Sequence, residues 1–211
     1  MVTVIDYGSG NLRSVAKALE KVGGRVVVRN TPEGIESSDR LLLPGVGAFG
    51  DCRRNLEATG FWEPVLRHVA SGKPFLGICV GMQLLFTEGT EFGTHPGLDL
   101  IGGRVVGFSR EMPDPADPSR HLKVPHMGWN RVRQEMPHEL WQGIPDASHF
   151  YFVHSFHCLP DDPRVLAGSS DYGVRFVAAV IRDNIVAAQF HPEKSQDHGL
   201  RLLANFLTWK P

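Results

Sequence analysis

Lys73-Pro-Phe-Leu-Gly-Ile-Cys-Val-Gly-Met-Gln83 is the stretch from which the rest of the chain can be read. It opens as an apolar run of strand character and closes on a helix pattern. Between them stands G-x-C-x-G, from Gly77 to Gly81, with Cys79 at its centre. A nucleophile elbow has this form: a nucleophile on a sharp strand-to-helix turn, with small residues on both sides so that neighbouring backbone can pass. Such a turn lifts the sulfur out of a sheet and sets it at a helix N-terminus, where the helix dipole and free N–H groups favour the thiolate. The next backbone N–H, that of Val80, can face a developing oxyanion. The competing reading is a small apolar core cysteine, which is the commoner fate of a buried Cys.

A nucleophilic thiol needs a base, and the base needs an orienting group. His191-Pro-Glu193 offers both, after the strand-like run Asn184-Ile-Val-Ala-Ala-Gln-Phe190. Pro192 ends that strand and bends the chain, which lets two side chains one residue apart converge. Glu193 can then accept from one imidazole nitrogen while the other faces Cys79. By itself, His and Glu flanking a proline more often mark a solvated turn. A third piece is Asp39-Arg-Leu-Leu-Leu-Pro-Gly-Val-Gly-Ala-Phe49, an apolar run of a doubly buried strand that ends in Pro44-Gly-Val-Gly47. Its glycine-bearing tail fits backbone that presents N–H groups to a ligand, or an ordinary strand-ending turn.

Strand and helix patterns alternate over residues 1–95, the mark of an α/β fold with a parallel sheet. Strands are expected at residues 2–6, 25–29, 40–43 and 75–78, and helices at 12–22 and about 52–70. Asp6, Pro44 and Cys79 then share the C-terminal edge of the sheet, where such folds bind ligands. From about 97 to 180 short β-like pieces appear, at residues 103–108, 129–133, 150–157 and 176–182. They read as an antiparallel insertion, with 113–118 as its clearest loop. The chain returns to strand at 185–190 and ends in a helix at about 196–209. The whole reads as a single domain spanning 1–211.

The chain has 211 residues, 42% hydrophobic and 21% charged, with a formal net charge of −1. That balance is ordinary for a globular protein and points to neither a nucleic acid nor a membrane surface. Three scattered cysteines, Cys52, Cys79 and Cys158, fit a reducing compartment without a disulfide framework. No targeting segment is recognisable, so the expected location is cytoplasmic. Gly8-Ser-Gly10 lacks the third glycine of a dinucleotide fingerprint, since Arg13 stands there. His154 and His157, three apart on one strand, would point to opposite faces and could not chelate one ion without a bend. No metal and no cofactor are expected.

Gly-Ile-Cys79-Val-Gly-Met-Gln83, His191-Pro-Glu193 and Pro44-Gly-Val-Gly47 resemble the three signatures of class I, triad-type glutamine amidotransferases. Asp6-Tyr-Gly-Ser-Gly-Asn-Leu12, Pro125-His-Met-Gly-Trp-Asn130, Tyr151-Phe-Val-His-Ser-Phe156 and His191-Pro-Glu-Lys-Ser195 resemble, more narrowly, the glutaminase subunits of imidazole glycerol phosphate synthases. The resemblance implies a flavodoxin-like three-layer fold, mostly parallel with an antiparallel β insertion. It implies a Cys79–His191–Glu193 triad acting on L-glutamine through a glutamyl thioester. The oxyanion would be held by backbone of Val46, Gly47 and Val80, and Gly45, Gln83, His154 and Ser155 would border the substrate. Ammonia would pass to a separate (β/α)8-barrel cyclase subunit in a heterodimer serving histidine biosynthesis, docked on Asn11, Met127, Trp129, Asn130 and Lys194. Two alternatives carry other expectations: the glutaminase of anthranilate, purine or vitamin B6 synthesis, or a non-catalytic binding protein of the same fold.

Overall fold

In the computed structural model, which describes residues 1–115 and 117–211, the first half alternates as its apolar runs predict. Strand β1 is Val2–Ile5, helix α1 Leu12–Lys21, β2 Val26–Arg29 and β3 Arg40–Gly45. Helices α2 (Phe49–Ala58) and α3 (Trp62–Ala70) follow, then β4 (Phe75–Cys79) and α4 (Val80–Gln83). The single helix expected at 52–70 is therefore two, interrupted at Thr59–Phe61. The helix expected after Cys79 is one turn of four residues. A dipole that short gives the sulfur little, so its stabilisation must come from individual donors.

The second half carries β5 (Phe86–Gly89), β6 (His95–Pro96), β7 (Ile101–Gly107), β8 (Pro113–Asp114) and β9 (Asp117–His121). It continues with β10 (His126–Gln134), β11 (Ser148–His154), β12 (Phe156–Pro160), β13 (Leu166–Tyr172), β14 (Val174–Arg182) and β15 (Ile185–Ala188), and closes with α5 (Gln196–Thr208). The stretch read as a loop at 113–118 holds the hairpin of β8 and β9, with Ala116 outside the described residues. The strand expected at 150–157 is two strands, which part at Ser155 and join different sheets.

Among the described residues, nine strands form one sheet in the order β11-β10-β13-β14-β15-β4-β3-β1-β2. Strands β15, β4, β3, β1 and β2 are parallel neighbours, and β11, β10, β13 and β14 extend the same sheet in antiparallel pairings. The antiparallel segment thus lengthens the central sheet, while β12, β7, β5 and β6 form a smaller second one. Burial follows pairing type. Every residue of β1, β4 and β15 is buried, as strands covered on both faces require. Strand β11 alternates buried with more exposed positions, as a half-covered antiparallel strand does. The crossover from β1 to β2 runs one way along the sheet and that from β3 to β4 the other. With right-handed crossovers this sets α1 on one face and α2–α3 on the opposite one. Helix α5 packs on α1. No helix among the described residues is long and apolar enough to cross a membrane.

Candidate active site

Cys79 ends β4 with φ 55° and ψ −113°, a backbone conformation costly for any residue with a Cβ. Close packing holds it there. A Cβ on Gly81 would lie 2.0 Å from the Leu43 carbonyl oxygen, and one on Gly77 would lie 2.8 Å from the Gly81 oxygen. The turn closes only with glycine on both sides, as the elbow pattern requires. Cys79 is 4% exposed, at the middle of the sheet's C-terminal edge.

Strand β15 lies beside β4, with Ala188 level with Ile78, so the chain leaving β15 passes Cys79. His191 is fixed by three backbone-directed bonds. Its N–H donates to the Tyr151 carbonyl at 2.9 Å. Ser195 Oγ donates to its carbonyl at 2.6 Å and accepts from the Tyr151 N–H at 3.0 Å. Pro192 opens a short turn, Pro192–Lys194, which folds Glu193 back toward the ring. The His191 Nδ1 to Glu193 Oε1 distance is 2.9 Å, and both side chains are essentially inaccessible. The carboxylate accepts, so Nδ1 carries a proton and Nε2 is the working nitrogen. Nε2 has no protein hydrogen-bond partner of ordinary geometry among the described residues. Burial pulls the imidazole pKa down, but the Cys79 sulfur beside the ring and the Glu193 carboxylate outweigh it and hold it up to about 9. The imidazolium form is therefore favoured at neutral pH.

The tail of β3 reaches the same edge, Gly45 pairing with Cys79. The Val46 N–H donates to Ser9 Oγ at 3.1 Å, and the Val46 carbonyl accepts from Ser9 Oγ at 2.6 Å and Cys52 Sγ at 3.4 Å. In this conformation Ser9 occupies the donor that the sequence assigned to an oxyanion. Gly45 does not line the cavity. A Cβ there would meet Gly81 N and Tyr7 Oη at 2.8 Å, so its smallness serves the elbow's packing.

A cavity of about 280 Å³ collects Val46, Gly47, Cys79, Val80, Gln83, His154, Ser155 and His191, all named from sequence, together with Glu91, Pro125, Val153 and Phe156. Glu193 stands behind His191. Glu91, the only acidic lining residue among the described residues, had no signal in its sequence surroundings; its Oε2 accepts from the Phe49 N–H at 2.8 Å. His154 borders the cavity while its ring turns inward. The break at Ser155 brings His154 and His157 onto the same Phe108 ring, at 5.2 and 4.7 Å, so the opposite-face expectation does not hold. No cluster of three or more His, Cys, Asp or Glu arranged for a metal ion occurs among the described residues.

Of the residues expected to meet a partner, Met127 and Trp129 are exposed, at 63% and 45%. Trp129 meets the Tyr151 ring edge-on at 6.1 Å, and Lys194 Nζ lies 5.7 Å from the same ring's centroid. These three border the backbone that holds His191. Asn11 is half-buried at the start of α1 and makes no side-chain cap. Asn130 alternates to the other face of β10, where its amide donates to His126 Nε2 at 3.3 Å and the Asp171 carbonyl at 2.9 Å. Asn130 is half-buried, with these bonds made to its own chain, whereas Trp129 is exposed.

Residues 3–209 match the family described as glutamine amidotransferase class-I. The chain is 55% identical over 206 residues to "Imidazole glycerol phosphate synthase subunit HisH" of Syntrophotalea carbinolica, covering 98% of each chain. It is 53% identical to the protein of the same name from Aromatoleum aromaticum, over 100% of this chain and 99% of that one. Among solved structures, PurLQS from Thermotoga maritima superposes with a TM-score of 0.73 at 16% identity, covering 98% and 96% of the two chains. A structure titled glutamine amidotransferase gives 0.71 at 18% identity, over 98% and 97%. At those identities the two structures speak for the fold alone.

Proposed function

The chain belongs to the class I glutamine amidotransferase family, and from that premise we propose that it hydrolyses L-glutamine as the glutaminase subunit of an imidazole glycerol phosphate synthase. The observation that carries this reading is Cys79 held at φ 55° beside a His191 ring whose Nδ1 sits 2.9 Å from Glu193, at one cavity. The full-length relatives supply the synthase assignment.

The Cys79 thiolate attacks the side-chain amide carbon, forming a C–S bond and a tetrahedral oxyanion. Val80 N–H faces the oxyanion, joined by the Val46–Gly47 turn once it lets go of Ser9. His191 protonates the departing nitrogen through Nε2, the C–N bond breaks and ammonia leaves. A glutamyl thioester remains. Water gives a proton to His191 and attacks, the C–S bond breaks, and glutamate leaves with the thiolate restored. Glu193 holds the ring in the working tautomer throughout. Ammonia then enters a (β/α)8-barrel cyclase, a separate chain, which makes imidazole glycerol phosphate and aminoimidazole carboxamide ribotide.

A glutaminase assay with and without that cyclase tests the reading. Wild type in complex releases glutamate and supports product formation. Cys79→Ala abolishes both from glutamine and leaves the complex competent with free ammonia. Product formed from glutamine by the Cys79→Ala complex would sink the assignment.

A further inference from the structure

Beside Cys79 lie two buried amides whose chemistry the mechanism above does not use. Gln189 is fully buried and Gln83 is 3% exposed. Gln189 Nε2 lies 3.7 Å from Cys79 Sγ, within reach of an N–H to sulfur hydrogen bond. Gln189 Oε1 accepts from Gln83 Nε2 at 3.0 Å, and the same Gln83 nitrogen donates to the Phe156 carbonyl at 3.3 Å.

We propose that Gln189 is a catalytic residue of this site, its side-chain N–H stabilising the Cys79 thiolate before attack and on its release from the thioester. Gln83 and the Phe156 carbonyl act through it as positioning groups. The proposal rests on the reading of Cys79 as the nucleophile.

The direction of the relay follows from what each atom can do. A carbonyl oxygen only accepts, so Phe156 O fixes the nitrogen end of Gln83 toward itself. His154 Nδ1, at 2.8 Å, is a second donor to the same oxygen and holds it in place. The remaining N–H of Gln83 then needs an acceptor, which fixes Gln189 Oε1 toward Gln83. Gln189 is thereby left with its N–H groups toward the sulfur. Turning Gln189 over would set its oxygen against a thiolate and its nitrogen against another donor, both unfavourable in a buried site. The four-residue helix after Cys79 offers little dipole, so the thiolate relies on discrete groups, the His191 imidazolium and the Gln189 N–H. A hydrogen bond to a charged group in such surroundings is among the stronger ones.

The test uses the full chain with its cyclase. In Gln189→Met, similar in length but with no donor, the pH of half-maximal iodoacetamide alkylation at Cys79 rises by about one unit. Glutamine turnover in the complex falls about ten-fold with little change in KM, because Gln189 does not line the cavity. A merely structural role would leave the alkylation profile where it is. A folded, cyclase-binding Gln189→Met with an unmoved profile overturns the proposal. Should that variant fail to fold, the 15N-labelled wild type decides. Its Gln189 side-chain NH2 resonances should titrate with the alkylation of Cys79 and lose that titration in Cys79→Ser; resonances insensitive to both overturn it. Alkylation needs no glutamine, so the two readings fail separately. A wild-type complex without glutaminase activity removes the proposed function, whereas an active one with an unmoved Gln189→Met profile removes only the role of Gln189.

Discussion

Cys79 helps to set the charge of His191. The sulfur is the largest influence raising the His191 imidazole, ahead of Glu193, and it does so against burial. Cys79→Ala should therefore bring the His191 titration, followed by NMR of the ring, down from about 9. An unmoved titration would mean that the carboxylate alone holds the proton. The linkage has a sign. A histidine raised in the fold contributes stability that is complete below its ordinary value of 6.5 and is lost as pH rises through about 9. Loss of the sulfur should flatten that alkaline decline. Gly47 is the second residue to test. Its φ of 103° suits glycine, and a Cβ there meets nothing within 4 Å, so Gly47→Ala strains backbone without a clash. That strain, about 1–2 kcal/mol, falls on the turn that must leave Ser9 to face the oxyanion. Cyclase-activated turnover should drop by about 5- to 30-fold, the rate change to which that energy corresponds, with KM for glutamine little changed. Full activation of Gly47→Ala would show that the turn does not need to move.

The β10–β11 pair carries a directed chain of its own. His126 and His154 are register partners. His154 Nδ1 faces the Phe156 carbonyl, so it donates; its Nε2 must accept, and His126 Nδ1 donates to it at 2.9 Å. Asn130 completes the chain at His126 Nε2. Every link requires both rings to be neutral, and burial holds them so, His126 down at about 4 and His154 at about 3. An unfolded chain takes up these protons near 6.5, well before the folded one does. Stability from this pair is therefore complete above about 6.5 and drains as pH falls toward 4. His126→Phe keeps the ring stacked between Tyr172 and Phe152 and removes one titrating group. Urea unfolding from pH 7 to 4 should show a slope shallower by about one proton in that variant. An unchanged slope would place the acid sensitivity elsewhere. The same two strands show why element boundaries escaped the sequence. Residues 150–157 have unbroken strand propensity, and the parting at Ser155 exists because two sheets compete for the flanking residues. Phe108 N–H donates to the Ser155 carbonyl at 2.9 Å.

At the scale of the molecule, one edge of the sheet carries both the chemistry and the proposed docking surface. Exposed Trp129 and Lys194 lie against the half-buried Tyr151, whose backbone holds His191, so a partner seated there touches the triad's support. Trp129→Ala should weaken cyclase binding by about 2 kcal/mol or more, read by titration calorimetry. Lys194→Ala should lower the product formed per glutamine hydrolysed, with the isolated chain still folded. Wild-type affinity and a ratio near one in both variants would put the interface on another face. The nucleophile elbow, the His–Pro–Glu turn and the alternation of the first 95 residues were legible in the sequence, because local sterics dictate them: glycines where backbone crosses within van der Waals contact, proline where a strand must end, apolar runs where a strand is buried twice. Those same rules brought Asp6, Pro44 and Cys79 to one edge on topology alone. Only the tertiary structure decided what each buried polar group faces. That Ser9 holds the Val46 N–H, that Asn130 bonds the Asp171 carbonyl, and that Gln189 reaches the sulfur all depend on contacts between residues dozens of positions apart. Sequence spacing carries no information about such contacts, and a buried donor or acceptor takes whichever partner the packed chain brings to it.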